Sequence, residues 1–342
     1  YGGFGRGQKF PPHSTLLYML YRMSAYISGE NRVPGANTEK LTGISDGGHL
    51  LLDRGPGAAT KEPTRASDED HSLLNRAPGA ATKEPAHISN EDHSLLSGMV
   101  TTTLDAMMMR GLNDHLQGGI FRYCVDREWT IPHFEKMLYD QVMALWTYSL
   151  AYRVTGAGRY REMAESIIRC LHETFAADGF YVSAFNADTD HMEGATYLWS
   201  MEELTALLTP EEMNRFRDVY DISESGNFER LNHIVRKNDG QVADIGEKLL
   251  AVRRQRSQPS RDDKVLSGLN ALTAVALIQA GRMLDRPELE AEAALLTWRL
   301  LDTFWDGTSL AHSYFEGVLQ RQGFLSDAGA MLLAITMLYE SD

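Results

Sequence analysis

Apolar positions recur at helical spacing along most of the chain. Leu16, Leu17, Leu20 and Met23 fall on one side of a predicted helix over 15–27. The same periodicity predicts long helices over 99–110, 134–154, 158–175, 265–284, 287–304 and 324–339. A further helix begins at Thr209, where a capping residue precedes proline and two acidic residues. Helices therefore dominate the predicted structure.

Short polar segments with alternating side chains separate these helices. Residues 178–184 alternate like a strand, and 195–199 is predicted to pair with them. Residues 309–318 are predicted to form another short hairpin. The chain shows neither a parallel βαβ alternation nor a G-x-x-x-x-G-K-[ST] loop. This pattern disfavours a P-loop kinase and a Rossmann oxidoreductase.

Residues 32–97 are three tandem copies of a 22-residue unit. Such a period is compatible with a solenoid, but each copy holds only a short apolar patch among proline, glycine and charge. We therefore predict a mobile insertion rather than a packed array. His49, His71 and His93 recur once per copy, but none has a second candidate ligand at close spacing. No metal site is predicted here.

Composition narrows the class of protein. The 342 residues are 43% hydrophobic and 23% charged, which fits one large or two ordinary globular domains. The net charge of −14 disfavours a nucleic-acid partner. No apolar run approaches the roughly 20 residues that span a bilayer. Cys124 and Cys170 form no CxxC motif, so a reducing, cytoplasmic compartment is favoured. Because the first residue is Tyr1, we expect a processed or shortened chain.

The segment 111–141 is the richest in groups able to do chemistry. Pro132 fits the first position of a helix, on which His133, Met137 and Asp140 would share one face. Two interpretations remain open at this point: a functional cleft, or a structural polar network. For Asp140, the structural alternative is an i+4 ion pair with Lys136.

Three further segments carry candidate groups. The loop after residue 184 holds Asp188 but lacks the full calcium-loop pattern. The pair Asp263 and Lys264 marks either the edge of a cleft or acids and a cation near a helix start. Asn270 interrupts an apolar helix and is either structural or a substrate donor.

These motifs together resemble a known family. The segments occur in the order DHLQGG, RYCVDREW, PHFEKMLYDQ, GFYVSAFNADTD, YLWSMEEL, GNF, RDDKVL and GFLSD. They are similar to the family of spermatogenesis-associated protein 20 and its bacterial relatives, over residues 1–31 and about 99–341. That resemblance implies an all-α fold, an (α/α)6 toroid-like barrel similar to N-acylglucosamine 2-epimerases and six-hairpin glycosidases. We expect residues 1–31 to start the barrel, 32–97 to be the insertion, and 98–342 to continue the barrel, incomplete at the C-terminus.

The chain departs from the family pattern at several polar positions. Phe121 stands where the family has histidine, and Leu269 where it has tryptophan. The other replacements are Phe185 and Asn186 for an acidic pair, and Ser326 and Ala328 for Glu and Tyr. The family's thioredoxin-like domain and its helices beyond the position of Tyr339 have no counterpart in this sequence. These departures weaken the case for acid–base catalysis.

Three functions stay open. The first is an epimerase-type barrel acting on a sugar, with His133 and His115 as acid–base candidates and Asp126 and Asp140 orienting groups. The second is a glycoside hydrolase, which needs two carboxylates across a cleft. The third is a non-catalytic binding or scaffold barrel. The candidate substrate-binding residues are Arg122, Tyr123, Trp129, Glu135, Asp188, Asp263, Lys264, Asn270 and Asp327.

The resemblance implies a sugar as the small-molecule partner and no cofactor or metal. Nucleic acid and membrane are not expected as partners. Apolar residues of the last predicted helix, Leu325 and Leu332 among them, outnumber the available core positions. We therefore expect self-association, or a partner chain that completes the barrel.

Overall fold

The computed structural model describes residues 8–27 and 89–340. Residues 32–88 of the predicted insertion, including His49 and His71, lie outside the described residues.

Ten helices form within these two ranges. They are α1 (His13–Ile27), α2 (Asn90–Met109), α3 (Leu138–Thr155), α4 (Gly158–Cys170), α5 (Met201–Leu207), α6 (Pro210–Val219), α7 (Ala243–Arg253), α8 (Ser267–Leu284), α9 (Pro287–Phe304) and α10 (Leu325–Tyr339). The chain leaves α4 through a π-helical turn, Leu171–Phe175.

Twelve short strands connect the helices. They are β1 (Tyr123–Cys124), β2 (Pro132–His133), β3 (Lys136–Met137), β4 (Ala176–Ala177), β5 (Phe180–Tyr181), β6 (Ala184–Phe185), β7 (Asp188–Thr189), β8 (Met192–Glu193), β9 (Arg261–Asp262), β10 (Val265–Leu266), β11 (Ser313–Phe315) and β12 (Val318–Gln320). All their pairings are antiparallel, in sheets ordered β1-β2, β3-β6-β9, β4-β5, β7-β8 and β10-β11-β12.

The long helices form an inner and an outer layer. In the inner layer α1 packs on α3, α3 on α8, and α8 on α10. In the outer layer α2 packs on α1, α4 on α3, and α9 on α8. The described residues thus form three helical hairpins and one further inner helix. This arrangement confirms the predicted all-α fold of the (α/α)6 barrel type.

The inner helices α3, α8 and α10 begin at the same end of the molecule. The backbone N–H of Leu138 donates to the carbonyl of Ser183 at 2.9 Å, and the Ser183 hydroxyl donates to the Lys264 carbonyl at 2.6 Å. The N–H of Ser267 donates to the carbonyl of His312 at 2.9 Å. Strands β3, β6, β9, β10 and β11 therefore lie over this end, which we call the N-terminal end of the barrel.

Helix α3 begins at Leu138, four residues after the start of the predicted range 134–154 and six after Pro132, the predicted first helical position. Residues 132–137 are extended, so His133, Met137 and Asp140 do not share a helical face. Sheet pairing explains the difference: His133 pairs with Tyr123, and Lys136 pairs with Phe185. Proline lacks an N–H and is tolerated in an edge strand as well as at a helix start, which made the local pattern ambiguous.

Two other boundaries differ from the predictions. Residues 195–199 do not pair with 178–184, because Phe180–Tyr181 pairs with Ala176–Ala177 and Trp199 bridges Asn232. Helix α2 begins at Asn90 instead of residue 99. A capping box between Ser89 and Asp92 fixes this start, so the end of the third repeat is helical.

Between α4 and α8 the chain forms a smaller unit with its own core. The helices α5, α6 and α7 pack around Trp199, Leu204, Phe216 and Ile245, all fully buried. The predicted helix start at Thr209 is confirmed, with a reciprocal cap to Glu212.

Candidate functional site

A polar cluster lies at the N-terminal end of the barrel, just before α3. Its centre is His133, whose side chain is 29% exposed. The Nδ1 atom of His133 lies 2.6 Å from Oε1 of Glu193, and its Nε2 lies 3.8 Å from Oε2 of Glu135. A guanidinium NH1 of Arg122 donates to the same Glu135 oxygen at 2.6 Å. The structure thus brings together three residues predicted from the sequence and adds Glu193.

The backbone of the β1–β2 hairpin explains how these groups meet. Tyr123 and His133 are cross-strand partners, and the N–H of Arg122 donates to the Glu135 carbonyl at 2.9 Å. The rings of Tyr123 and His133 stack with centroids 5.0 Å apart. Phe10 stacks on the other face of this arrangement, 4.5 Å from Tyr123. The outermost ring, Phe10, is 55% exposed and gives the site an aromatic surface.

Glu193 reaches His133 from the β7–β8 hairpin, 60 residues further along the chain. The next residue, Gly194, has φ +72°, and a Cβ there would lie 2.6 Å from the Phe134 ring. Both the backbone conformation and the close approach require glycine. The placement of the Glu193 carboxylate therefore depends on a residue with no side chain.

Asp140 lies in the first turn of α3 and is 5% exposed. Its Oδ2 is buried without a hydrogen-bond partner. Burial raises the pKa of Asp140 to about 7; Arg122 opposes this shift and Glu135 adds to it. The carboxyl group can therefore hold a proton near neutral pH and release it.

A second histidine–carboxylate pair, His312 and Asp327, lies at the start of α10, at the same end of the barrel. The Nδ1 atom of His312 is 2.8 Å from Oδ2 of Asp327, which also accepts the N–H of Phe324 at 2.9 Å. A Cβ at Gly268 would lie 2.5 Å from Oδ1 of Asp327, so α8 and α10 approach closely here. Asp327 was predicted from the sequence, but His312 was not, because nothing in its local sequence marks it.

Asp126, predicted as a catalytic or orienting residue, binds backbone instead. Its carboxylate accepts N–H bonds from Glu128, Thr130 and Ile131 at 2.6–3.1 Å. These bonds hold the turn between β1 and β2 in the manner of an Asx turn. Trp129, in the same turn, is fully buried.

Asn270, predicted as a structural or substrate-binding residue, ties two elements together. Its side-chain oxygen accepts the N–H of Tyr181 at 2.8 Å, and its amide donates to the Tyr181 carbonyl at 2.9 Å. A further bond of 3.1 Å joins it to the Leu266 carbonyl. These contacts match the structural alternative for Asn270.

Lys136 does not pair with Asp140. It is buried, and its Nζ lies 2.7 Å from Oδ2 of Asp114. Arg253 makes two hydrogen bonds of 2.9 Å with the same carboxylate. Although burial alone would raise it, the two cations hold the pKa of Asp114 far below its usual range. This buried ion cluster joins the 111–119 loop, β3 and α7.

The side chains of the remaining predicted residues contact other groups or are exposed. The Nε2 of His115 donates to the Arg110 carbonyl at 2.9 Å, and burial lowers the pKa of His115 to about 4. Asp263 pairs with Arg261. Lys264 lies 3.0 Å from Asp262. Asp188 is exposed in β7.

Among the described residues, no three His, Cys, Asp or Glu side chains are grouped as a metal site. Cys124 and Cys170 are buried free thiols, and burial raises the pKa of each. No helix in residues 8–27 or 89–340 is long and apolar enough to cross a membrane.

Comparison with known proteins agrees with the motifs. No family profile matches the chain. Spermatogenesis-associated protein 20 of Rattus norvegicus is 29% identical over 239 residues, 57% of this chain and 30% of that protein. Cellobiose 2-epimerase of Bacteroides fragilis is 34% identical over 86 residues, 25% of this chain and 21% of the enzyme.

A glycoside hydrolase family 76 mannosidase from Bacteroides thetaiotaomicron aligns over 72% of this chain and 48% of its own, with 8% identity. Its TM-score of 0.40 is too low to support an argument about function. The chain spans about a third of the length of the curated relatives it matches, 30% to 37%. The resemblance to the family of spermatogenesis-associated protein 20, predicted from the motifs, is confirmed.

Proposed function

We propose that this chain binds a sugar at the N-terminal end of its barrel and moves a proton beside the sugar carbonyl, as a 2-epimerase does. The observation that carries the proposal is the contact between His133 and Glu193. With its Nδ1–H directed to a carboxylate at 2.6 Å, the neutral imidazole keeps the lone pair on Nε2. An imidazole oriented by a carboxylate and open to solvent is suited to general base catalysis.

The reaction assigned to this site needs one base, one acid and one stabiliser of negative charge. His133 Nε2 takes the proton from the carbon next to the carbonyl of an open-chain sugar. The electron pair of that C–H bond moves to the carbonyl oxygen, and Arg122 stabilises the resulting enolate. Return of a proton to the opposite face of the same carbon inverts its configuration.

Asp140 is the proposed source of the returning proton. Its raised pKa keeps a fraction of the carboxyl protonated at neutral pH, and both Arg122 and Glu135 act on it electrostatically. His312, paired with Asp327, is the second candidate for this role because epimerases of this type use two histidines. Replacing each residue separately decides between them.

The aromatic surface formed by Phe10 and Tyr123 is the proposed binding face. A sugar ring presents C–H groups that pack on an aromatic ring, while its hydroxyls bond to charged groups at the edge. Arg122 and Glu135 lie at that edge. Cellobiose 2-epimerase, similar over 86 residues, is named for a disaccharide, so reducing disaccharides are the first substrates to test.

The proposal is tested by incubating the chain with cellobiose or N-acylhexosamines and separating the 2-epimers by chromatography. His133→Asn should reduce epimer formation at least about hundredfold, the range for loss of a general base. His172→Asn is the matched control, since that imidazole also contacts a carboxylate, Glu292, at 3.0 Å but lies on the outer layer. Equal loss in both variants would contradict a catalytic role for His133.

A binding barrel without catalysis is the second candidate. It is favoured by Phe121, which stands at the family's histidine position and is fully buried against Phe134 and Tyr197. This candidate predicts that sugars bind, that Phe10→Ala weakens binding, and that no epimer forms.

The glycosidase alternative has less support. The acids predicted for it are Asp126, Asp188, Asp263 and Asp327. Asp126 is held by backbone N–H groups, Asp327 is paired with His312, and Asp188 is exposed. Asp263 pairs with Arg261. Hydrolysis of a disaccharide to monosaccharides in the same assay would favour this alternative.

A further inference from the structure

A cavity lies between the loop at residues 115–116, α4 and α7, apart from the residues of the proposed sugar site. It encloses about 340 Å³ and is lined by His115, Arg169, Tyr220, Arg236, Glu247 and Arg254, among others. An adjoining cavity of about 140 Å³ shares His115, Tyr220 and Arg236. The volume of the larger cavity falls within the size range of small-molecule sites.

Three arginines and two glutamates line the larger cavity, which leaves one net positive charge there. Arg254 is neutralised by Glu173, 2.6 Å away, and both line the cavity. Arg169 and Arg236 form no ion pair with any carboxylate of the described residues. Glu247 is the one further acid lining the larger cavity, and Glu162 and the doubly paired Asp114 line the smaller one. Two guanidinium groups therefore remain available to a ligand.

Arg236 is the group best placed to bind an anion. Its guanidinium lies 5.7 Å from the centre of the Tyr220 ring, and one terminal nitrogen donates to the Gly240 carbonyl at 2.9 Å. Its Nε is buried without a hydrogen-bond partner. Tyr220 is 5% exposed, so the guanidinium packs against a ring that is itself buried in the protein. An arginine held in this way is already restrained, so little conformational freedom is left for a ligand to restrict.

Part of the lining of the larger cavity is apolar. This part includes Leu116, Val242 and Leu250, and a Cβ at Gly246 would lie 3.8 Å from Leu116. A guanidinium presents a planar pair of donors that matches phosphate oxygens. The chain as a whole carries a charge of −14, so a general attraction for anions is not expected, and binding would have to be local.

We propose that this cavity binds the phosphate monoester of a small organic molecule, with Arg236 and Arg169 as the phosphate ligands. The organic part of the ligand lies against Leu116 and Leu250, and the Glu247 carboxylate accepts a hydrogen bond from a hydroxyl group of the ligand. The site does not depend on the proposed sugar site, because neither cavity is lined by His133, Glu135 or Arg122.

The test is calorimetric titration of the full chain with glycerol 3-phosphate, inorganic phosphate and glycerol. Glycerol 3-phosphate has no carbonyl, so it is not a substrate for the chemistry proposed at His133. We expect saturable, salt-sensitive binding that Arg169→Gln and Arg236→Gln each weaken about tenfold or more. Binding of inorganic phosphate with the same dependence on both arginines also supports the site.

Three control proteins make the result decisive. Arg159 lies in α4, as Arg169 does, but it pairs with Asp105 and does not line the cavity. Arg159→Gln should therefore leave the affinity for glycerol 3-phosphate unchanged. Arg236→Lys keeps the positive charge and is the replacement variant to titrate if Arg236→Gln does not fold. His133→Asn should bind glycerol 3-phosphate normally, which separates this proposal from the sugar site.

The proposal is overturned by any of three results. The first is affinity weaker than about 10 mM for both phosphates. The second is equal binding of glycerol and glycerol 3-phosphate. The third is phosphate binding that persists unchanged in both Arg169→Gln and Arg236→Gln.

Discussion

Single buried charges give the sharpest expectations, and Asp140 is the first. Its pKa is raised in the folded chain, so the folded state binds more protons than the unfolded state from about pH 4 to pH 7. Stability contributed by this group is complete below pH 4 and is lost as pH rises through 7. A shift of roughly three pKa units corresponds to about 4 kcal/mol, so Asp140→Asn should gain on the order of 4 kcal/mol of unfolding free energy relative to wild type between pH 4 and pH 8.

Urea titrations of both proteins at pH 4, 6 and 8 measure this difference. The difference between variant and wild type cancels the contribution of the buried histidines to the pH dependence of stability, which has the opposite sign. Burial lowers the pKa of His13 to about 3 and of His233 to about 4, so their contribution is lost as pH falls. A pH-independent difference between the two proteins would show that Asp140 is not protonated in the fold.

The buried ion cluster predicts an asymmetric response to substitution. Asp114→Asn leaves Lys136 and Arg253 buried without a counter-charge, which should cost roughly 3–5 kcal/mol of unfolding free energy. Lys136→Met leaves the bidentate pair of Asp114 with Arg253 intact and should cost less. Denaturation of the two variants at pH 7 measures the order, and a larger loss in Lys136→Met would contradict this account of the cluster.

Residue identities were predictable where chemistry is concentrated locally. Residues 111–141 contain Arg122, His133 and Glu135, which the structure brings together, and Asp140, whose pKa is affected by the charges of Arg122 and Glu135. Glu193 and His312 escaped because their partners are distant or unremarkable in sequence. Asp126 shows the opposite limit: an acid near a site is equally able to bind backbone N–H groups, and composition does not distinguish the two uses.

At the scale of elements, the β7–β8 hairpin controls the site. Gly194→Ala forces a side chain onto the Phe134 ring and strains a backbone at φ +72°. We expect a loss of roughly 1–3 kcal/mol in unfolding free energy, because φ above zero is costly for alanine and the contact is close. Displacement of Glu193 should also reduce any epimerase activity about tenfold or more, measured at a temperature where the variant stays folded.

Gly156→Ala is the matched control for that variant. Gly156 has φ +69° at the end of α3, but a Cβ there would meet no atom within 4 Å. It should cost only the backbone strain, about 1 kcal/mol, and leave activity unchanged. Equal loss of activity in Gly194→Ala and Gly156→Ala would contradict the claim that the β7–β8 hairpin positions Glu193 for activity.

Element types were more predictable than element starts. The helices 158–175, 287–304 and 324–339 were predicted to within a residue or an added π-turn, because periodicity reports packing on one face. The start of α3 was misplaced because residues 132–133 pair with the nearby strand 123–124 and residues 136–137 pair with the distant strand 184–185. The local apolar period does not report either pairing, and the partner of residues 136–137 lies outside any local window, so strand pairing decided the conformation.

At the scale of the molecule, the outer surface of α9 and α10 is unusually apolar. Trp298, Leu325 and Leu332 are 69%, 90% and 66% exposed. A groove of about 480 Å³ lies between the two helices, lined by Trp298, Leu301, Ile335 and Leu338, among others. Surfaces of this kind usually mark association.

We therefore predict that the isolated chain self-associates through this surface. Light scattering should show a mass above that of a monomer, and Trp298→Ser with Leu332→Ser should reduce it. Leu95→Ser, at a leucine of α2 that is 65% exposed, is the matched control and should have no effect. A monomeric wild-type chain that binds no hydrophobic dye would contradict the prediction.

The central claim is that His133, oriented by Glu193, exchanges a proton beside a sugar carbonyl. The most direct measurement is incubation of the chain with cellobiose or N-acylhexosamines in heavy water, followed by NMR of the sugar. The account predicts deuterium at the carbon next to the carbonyl, and its loss in His133→Asn. No deuterium above a protein-free blank, or the same incorporation with His133→Asn, would contradict it.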